Sequence, residues 1–189
     1  MKKLSITLIL SFAIVLAITM ISCQKSSDNP VAVQITVLNP GFEDSLNNWK
    51  IESDYVGIYG FQSSADAVRT GKKGLNFYAA KPADYPGAPQ ETPWNGKISQ
   101  TITGLKDGNY TFKVYADAVG TGMYLWANGG GADVKAVIKS NINELNTLDF
   151  VVTGGIAKFG FICINANSNG QLLSPYFHAD DVELWTKSL

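Results

Sequence analysis

The sequence has very little of what catalysis usually recruits. It holds one histidine and two cysteines in 189 residues. A single histidine, His178, rules out an HExxH metal site, and no G-x-S-x-G nucleophile turn or Cys–His pairing is present. Sixteen acidic residues are available for a glycosidase pair. That chemistry needs two carboxylates facing each other across a cleft, and no motif singles out such a pair. Nor is there a surplus of positive charge. Fifteen basic residues against sixteen acidic ones give a net charge of −1, a balance that argues against nucleic acid and anionic lipid as electrostatic partners. Beyond residue 30 no apolar run has helical periodicity, no internal repeat occurs, and nothing marks a second domain.

What is present begins with an apolar leader. Lys2 and Lys3 precede LSITLILSFAIVLAITM, an uninterrupted apolar run that reads as a secretory signal. As a helix, residues 4–22 would extend roughly 28 Å, long enough for a retained anchor to be the rival reading. Ser22-Cys23 followed by polar QKSSDNP resembles the lipobox of bacterial lipoproteins, in which the cysteine is acylated and becomes the new N-terminus. The resemblance implies a signal peptide over 1–22, a lipidated Cys23 with a flexible tether over 23–30, and one folded domain over 31–189. Gln24 after the cysteine implies outer-membrane sorting and cell-surface exposure. Two or more acyl chains anchor stably where one does so marginally. Loss of 1–22 removes two lysines, leaving thirteen bases against sixteen acids, a net of −3. Cys163 is then the one remaining thiol, so no intrachain disulfide forms. Its setting, KFGFICINA, makes it a buried hydrophobe.

Short apolar segments recur from residue 31 onward: VAVQITVL, WKIES, VGIYGF, LNFYAA, KISQTITGL, YTFKVYA, MYLWA, VKAVI, TLDFVV, AKFGFICI and FHADDVELW. Turn dipeptides such as Asp107-Gly108, Gly154-Gly155 and Asn169-Gly170 divide them, the pattern of an all-β sandwich or barrel. In YTFKVYAD, Tyr110, Phe112 and Val114 alternate with Thr111, Lys113 and Tyr115, which makes a half-buried antiparallel strand. Two irregular stretches, 81–96 and 127–133, are long enough to be functional loops.

Four pieces stand in a recognisable order: LNPGFEDSLNNWKI, TGKKGLNFY, KISQTITGLKDGNYTFKVYA and FHADDVELW. This order resembles the galactose-binding-domain-like carbohydrate-binding modules, the group containing families 4, 9, 16 and 22, across residues 37–186. Thr70 stands where that pattern usually has Ser. The resemblance implies a jelly-roll β-sandwich of two antiparallel sheets, with Phe42, Trp49, Leu105, Tyr110 and Leu184 in the core. It also implies a structural Ca²⁺ held by Glu43 and Asp180, with a backbone carbonyl near Asn39 or Gly41 and one near Lys73 as candidate further ligands. Oxygen-only ligands suit a hard cation. Alternation places Asp180 on the inward side with Val182 and Leu184, where a carboxylate must be paired or bind metal. The other reading is that both acids accept backbone N–H bonds without metal.

The stretch GTGMYLWANGGG poses the functional question. As a strand it puts Met123 and Leu125 on one face and Tyr124 and Trp126 on the other, so both faces are apolar. A sugar needs a flat aromatic surface beside directional polar groups. Tyr124 and Trp126, roughly 6.6–6.8 Å apart on an outward face, would form such a platform. Otherwise the ANGGG loop covers Trp126. Trp94, Tyr85 and Tyr115 are further candidates, and binding along a concave sheet or at the loop tips both stay open. The expected function is non-catalytic binding of polysaccharide or oligosaccharide by a surface lipoprotein, holding glycan for degrading enzymes or importers. The alternatives are a structural or protein-interaction lipoprotein on the same sandwich and a small glycoside hydrolase.

Overall fold

The computed structural model describes residues 31–53, 60–79, 94–139, 144–167 and 174–187, all within one unit, Val31–Leu189. Among these residues eleven strands follow in chain order. They are β1 (Gln34–Ile35), β2 (Lys50–Ser53), β3 (Gly60–Ser64), β4 (Gly74–Tyr78), β5 (Trp94–Thr103), β6 (Gly108–Val119), β7 (Thr121–Asn128), β8 (Val134–Val137), β9 (Glu144–Val152), β10 (Ile156–Asn167) and β11 (Tyr176–Thr186). One turn of 3-10 helix, Ala65–Ala67, joins β3 to β4.

The strands form two antiparallel sheets. One has six strands in the order β3-β4-β11-β6-β9 with β1 added against β11; the other has five, β2-β5-β10-β7-β8. The expected all-β sandwich is what the chain forms. Alternation drives it: in β9, ELNTLDFVV, burial switches at almost every residue, and Leu148, Phe150 and Val152 face inward. Aromatic pairs bridge the sheets. Phe112 of β6 lies 5.4 Å from Phe159 of β10, and Phe161 of β10 stacks 5.2 Å from Phe177 of β11. Trp49 caps this core against Phe42 at 5.0 Å, as expected, and Cys163 is buried within it. Such aromatic pairs add about 0.5–1.5 kcal/mol each beyond the area they bury.

One break in alternation matters. The β11–β6 register slips between Asp180 and Glu183, and Asp181 adopts φ +54°. This bulge reverses the phase. Ala179 and Val182 both face the core, whereas Asp180 stands opposite Tyr115 on the outer side. Simple alternation from Val182 therefore put Asp180 on the wrong face.

Candidate functional site

Cross-strand register builds the outer face of the five-stranded sheet. Core positions Ile98, Leu125, Phe161 and Cys163 fix which residues face out. One row then runs Glu52, Lys97, Ile162, Tyr124, Val137 across β2, β5, β10, β7 and β8. The next runs Lys50, Ser99, Gly160, Trp126, Lys135. Each row spans four inter-strand gaps, about 19 Å at 4.7–4.9 Å per gap.

Two hollows lie along the first row. A shallow groove of about 490 Å³ is lined by Glu52, Asn95, Gly96, Lys97, Ile162 and Ile164. A recess of about 200 Å³ lies beside Tyr124 and Val137, walled by Gly120, Thr121 and Gly122. Gly122, at φ +84°, is required there, because a Cβ would come within 2.5 Å of the Ile164 carbonyl. The groove is charged at one end. Glu52 accepts from Lys50 and, at 2.8 Å, from Lys97, and these bonds, Lys50's first, hold its carboxyl down at about 2. Sequence reasoning missed Lys97, Glu52 and Ile162, since only register brings them into line with Tyr124.

Tyr124 is half-buried on this face, with the Lys135 ammonium 5.6 Å from its ring centre. Trp126 also points away from the core cluster, but it is only 4% exposed. Its ring lies under Lys97 Nζ, 4.6 Å from the centroid. Gly160, between Ser99 and Trp126, presents no side chain in the gap between them; a Cβ there would sit 2.2 Å from the Ile98 carbonyl. The 128–133 turn closes the other side. Asn128 accepts from Gly130 N–H and donates to the Asp133 carboxylate at 2.7 Å. Asp133 is lowered by that bond first and then by the nearby Trp126 indole, whose Nε1 nonetheless finds no partner of hydrogen-bond geometry. Trp126 is thus a covered ring and not the open platform expected of it.

Two other expectations are corrected. Trp94 opens β5 and is core: it is buried, with its ring edge-on to Phe77 at 6.4 Å. Its position in the chain beside a long loop hid its inward phase, which it shares with Ile98. Tyr115 lies on β6, on the outer face of the opposite sheet, and the Arg69 guanidinium covers its ring at 3.4 Å. It cannot share a surface with Tyr124. Tyr85 and Cys23 lie outside the described residues.

The acids Glu43 and Asp180 do come together. A Cβ on Gly41 would lie 3.3 Å from Asp180 Oδ1 and 3.9 Å from Glu43 Cγ. Both carboxylates accept backbone N–H bonds from the 69–73 loop. Glu43 Oε1 takes Lys72 at 2.6 Å and Lys73 at 3.1 Å; Asp180 Oδ2 takes Arg69 at 2.8 Å and Thr70 at 2.9 Å, and Oδ1 takes Asp181 at 2.8 Å. The Lys72 and Lys73 N–H groups lower Glu43. Burial raises Asp180 despite its three N–H bonds. Two carboxylates brought together this way are hard oxygen ligands of the kind a Ca²⁺ takes. The rest of the expected ligand set fits less well. The Asn39 carbonyl already accepts from Phe42 N–H and Trp49 Nε1–H, which uses both lone pairs, so Asn39 is a turn-builder and not a ligand. Among the described residues no third His, Cys, Asp or Glu joins the two acids.

No protein-family profile and no curated protein matches the chain. Solved structures do match in fold. One is TmCBM61 in complex with β-1,4-galactotriose, with a TM-score of 0.57 and 16% identity over 80% of this chain and 97% of that one. A second is a family 16 carbohydrate-binding module, with a TM-score of 0.51 and 15% identity over 78% of this chain and 97% of that one. A third is the K1 cleaved adhesin domain of Lys-gingipain from Porphyromonas gingivalis W83, with a TM-score of 0.50 and 11% identity over 83% and 99%. The chain has the β-sandwich fold of carbohydrate-binding modules.

Proposed function

We propose that this domain binds a glycan chain, without catalysis, along the outer face of its five-stranded sheet. The observation that carries the reading is the first cross-strand row: an aromatic ring (Tyr124), an apolar contact (Ile162) and a Lys97–Glu52 pair flanked by two hollows. Rings of C–H bonds fit Tyr124 and Ile162, and hydroxyls find directional partners in Lys97, Glu52 and Asn95. A track of about 19 Å accepts several sugar rings in line, as a polysaccharide or oligosaccharide presents them. The fold likeness to a module solved in complex with β-1,4-galactotriose supports this reading.

Lipidation at Cys23 would fix the domain to the outer membrane or cell surface, where captured glycan is handed to degrading enzymes or importers. A Ca²⁺ at Glu43 and Asp180 would pin the 39–43 turn, the 69–73 loop and the β11 bulge together, which supplies stability and no chemistry. Glycan-array binding by the purified protein, with no release of reducing sugar, is the expected result. An adhesive, protein-binding role is the second reading, favoured by the likeness to the adhesin domain. An array on which no glycan is retained sinks the first reading and leaves the second.

A further inference from the structure

We propose that the outer face of the six-stranded sheet carries a second, smaller site, built on Asn76, His178 and Asp117, for a single neutral hydroxyl-rich ligand such as one sugar residue. These three stand directly opposite one another on β4, β11 and β6. Their neighbours Leu75, Phe77, Phe177, Ala179, Ala116 and Ala118 belong to the core, so the three side chains leave the sheet on its outer side. Residues on an outer sheet face are ordinarily wet. Here Asn76 is only 9% exposed and Asp117 only 6%.

Asn76 Oδ1 is fully buried and accepts no hydrogen bond. An orphaned buried carbonyl is costly, and folded proteins rarely keep one without a use for it. His178 Nδ1 lies 3.6 Å from the Asp117 carboxylate, too far for a direct hydrogen bond. A hydroxyl placed between the two could bridge them. The ring of Tyr176 packs on His178 with centroids 4.9 Å apart, and Tyr78 stands opposite Tyr176 in the next row. Polar groups therefore line one side and aromatic surface the other.

The donor and acceptor types select the ligand class. Asn76 Oδ1 and the Asp117 carboxylate accept, Asn76 Nδ2 donates, and the imidazole can do either. A hydroxyl both donates and accepts, so a vicinal pair satisfies this set in one step. The Asp117 carboxylate disfavours anions. Among the described residues no third acidic, His or Cys ligand accompanies His178 and Asp117, which argues against a metal. This site stands independently of the groove. Its consequence, that one domain grips two glycan segments from opposite sides, rests on the proposed function, and such bivalency raises avidity without new contacts.

The test is NMR titration of the isotope-labelled full-length protein with galactose, glucose, mannose and, as a non-sugar polyol, myo-inositol. Concentrations run up to about 0.1 M, the range of a weak one-residue site. The expected result is saturable shifts at the Asn76 side-chain amide and the His178 ring, retained in Tyr124→Ala and weakened at least about tenfold in His178→Ala and Asn76→Leu. A response to hexoses alone identifies a sugar residue; an equal response to myo-inositol identifies a general polyol site. If either variant fails to fold, the wild-type shift map decides. Absence of shifts at Asn76 and His178 with all four compounds overturns the proposal, as do shifts that persist undiminished in Asn76→Leu. Glycan-array failure together with these shifts refutes the groove and leaves this site intact.

Discussion

Lys97 Nζ lies 4.6 Å from the centre of the Trp126 ring while also pairing with Glu52 at 2.8 Å. The lysine thus covers the outer face of that indole. The covering separates two residues that the sequence treats as equivalents. Tyr124→Ala should lower glycan affinity about tenfold or more and cost the fold little, because its ring is half-buried and lines the recess beside Val137. Trp126→Ala should cost the fold about 3–5 kcal/mol, the range for truncating a buried tryptophan. Urea midpoints and affinity electrophoresis on both variants read the difference. Equal loss of stability in both would place Tyr124 in the structure and not in the site.

The same lysine sets an acid limit. Hydrogen bonds from Lys50 and Lys97 hold Glu52 at about 2, below its ordinary 4.5. A carboxyl depressed in the folded state contributes stability that is present above the unfolded value and is lost as pH falls through the folded one. Glu52→Gln should therefore flatten the fall in urea midpoint between pH 4.5 and 2 relative to wild type. The effect is small, since the side chain is 43% exposed and water screens the pair. An unchanged slope would mean that the pairs form no more in the folded chain than in the unfolded one.

How far the sequence reveals this molecule depends on the range of the signal. Period-two alternation is local, so strands such as β6 and β9 could be read directly, whereas the core roles of Trp49 and Phe42, which lie outside any strand, follow from the motif order shared with the carbohydrate-binding modules. Loop-to-strand boundaries are less local. Trp94 looked like a loop residue until β5 was seen to begin at it. The bulge at Asp180–Asp181 leaves no mark on the hydrophobic pattern, and it alone moves Asp180 to the other face. Pairing across sheets leaves none either. Nothing near Tyr124 in the chain names Ile162, Lys97 or Glu52, and nothing near Asn76 names His178 or Asp117. Both proposed sites are products of register, and register is fixed only by the whole sandwich.

Anchoring can be tested apart from the fold. Acylation at Cys23 predicts that Cys23→Ser releases the protein from the membrane fraction or leaves an uncleaved precursor, read by fractionation and by intact mass. Two or more acyl chains hold a protein stably, so the wild type should resist a high-salt wash. Finding it soluble and unacylated would end the lipoprotein reading without touching the glycan one.

Calcium is the sharpest remaining test, because the acids are held in a way that permits two outcomes. Gly71 has φ +72°, and a Cβ there would lie 1.9 Å from Glu43 Oε1. Gly71→Ala should thus displace Glu43 while leaving its charge in the chain. If Ca²⁺ binds the folded state alone, saturation a hundredfold above Kd adds about 2.7 kcal/mol. A domain of this size should then melt several degrees higher in millimolar Ca²⁺ than in EDTA. Glu43→Ala, Asp180→Ala and Gly71→Ala should each abolish that increment, and sugar binding should weaken only through lost stability. No difference between EDTA and Ca²⁺ removes the metal. The two carboxylates would then act as clasps for the 69–73 loop, each worth what its charge-assisted N–H bonds supply. In that case Asp180→Asn should lower the melting temperature in both buffers alike.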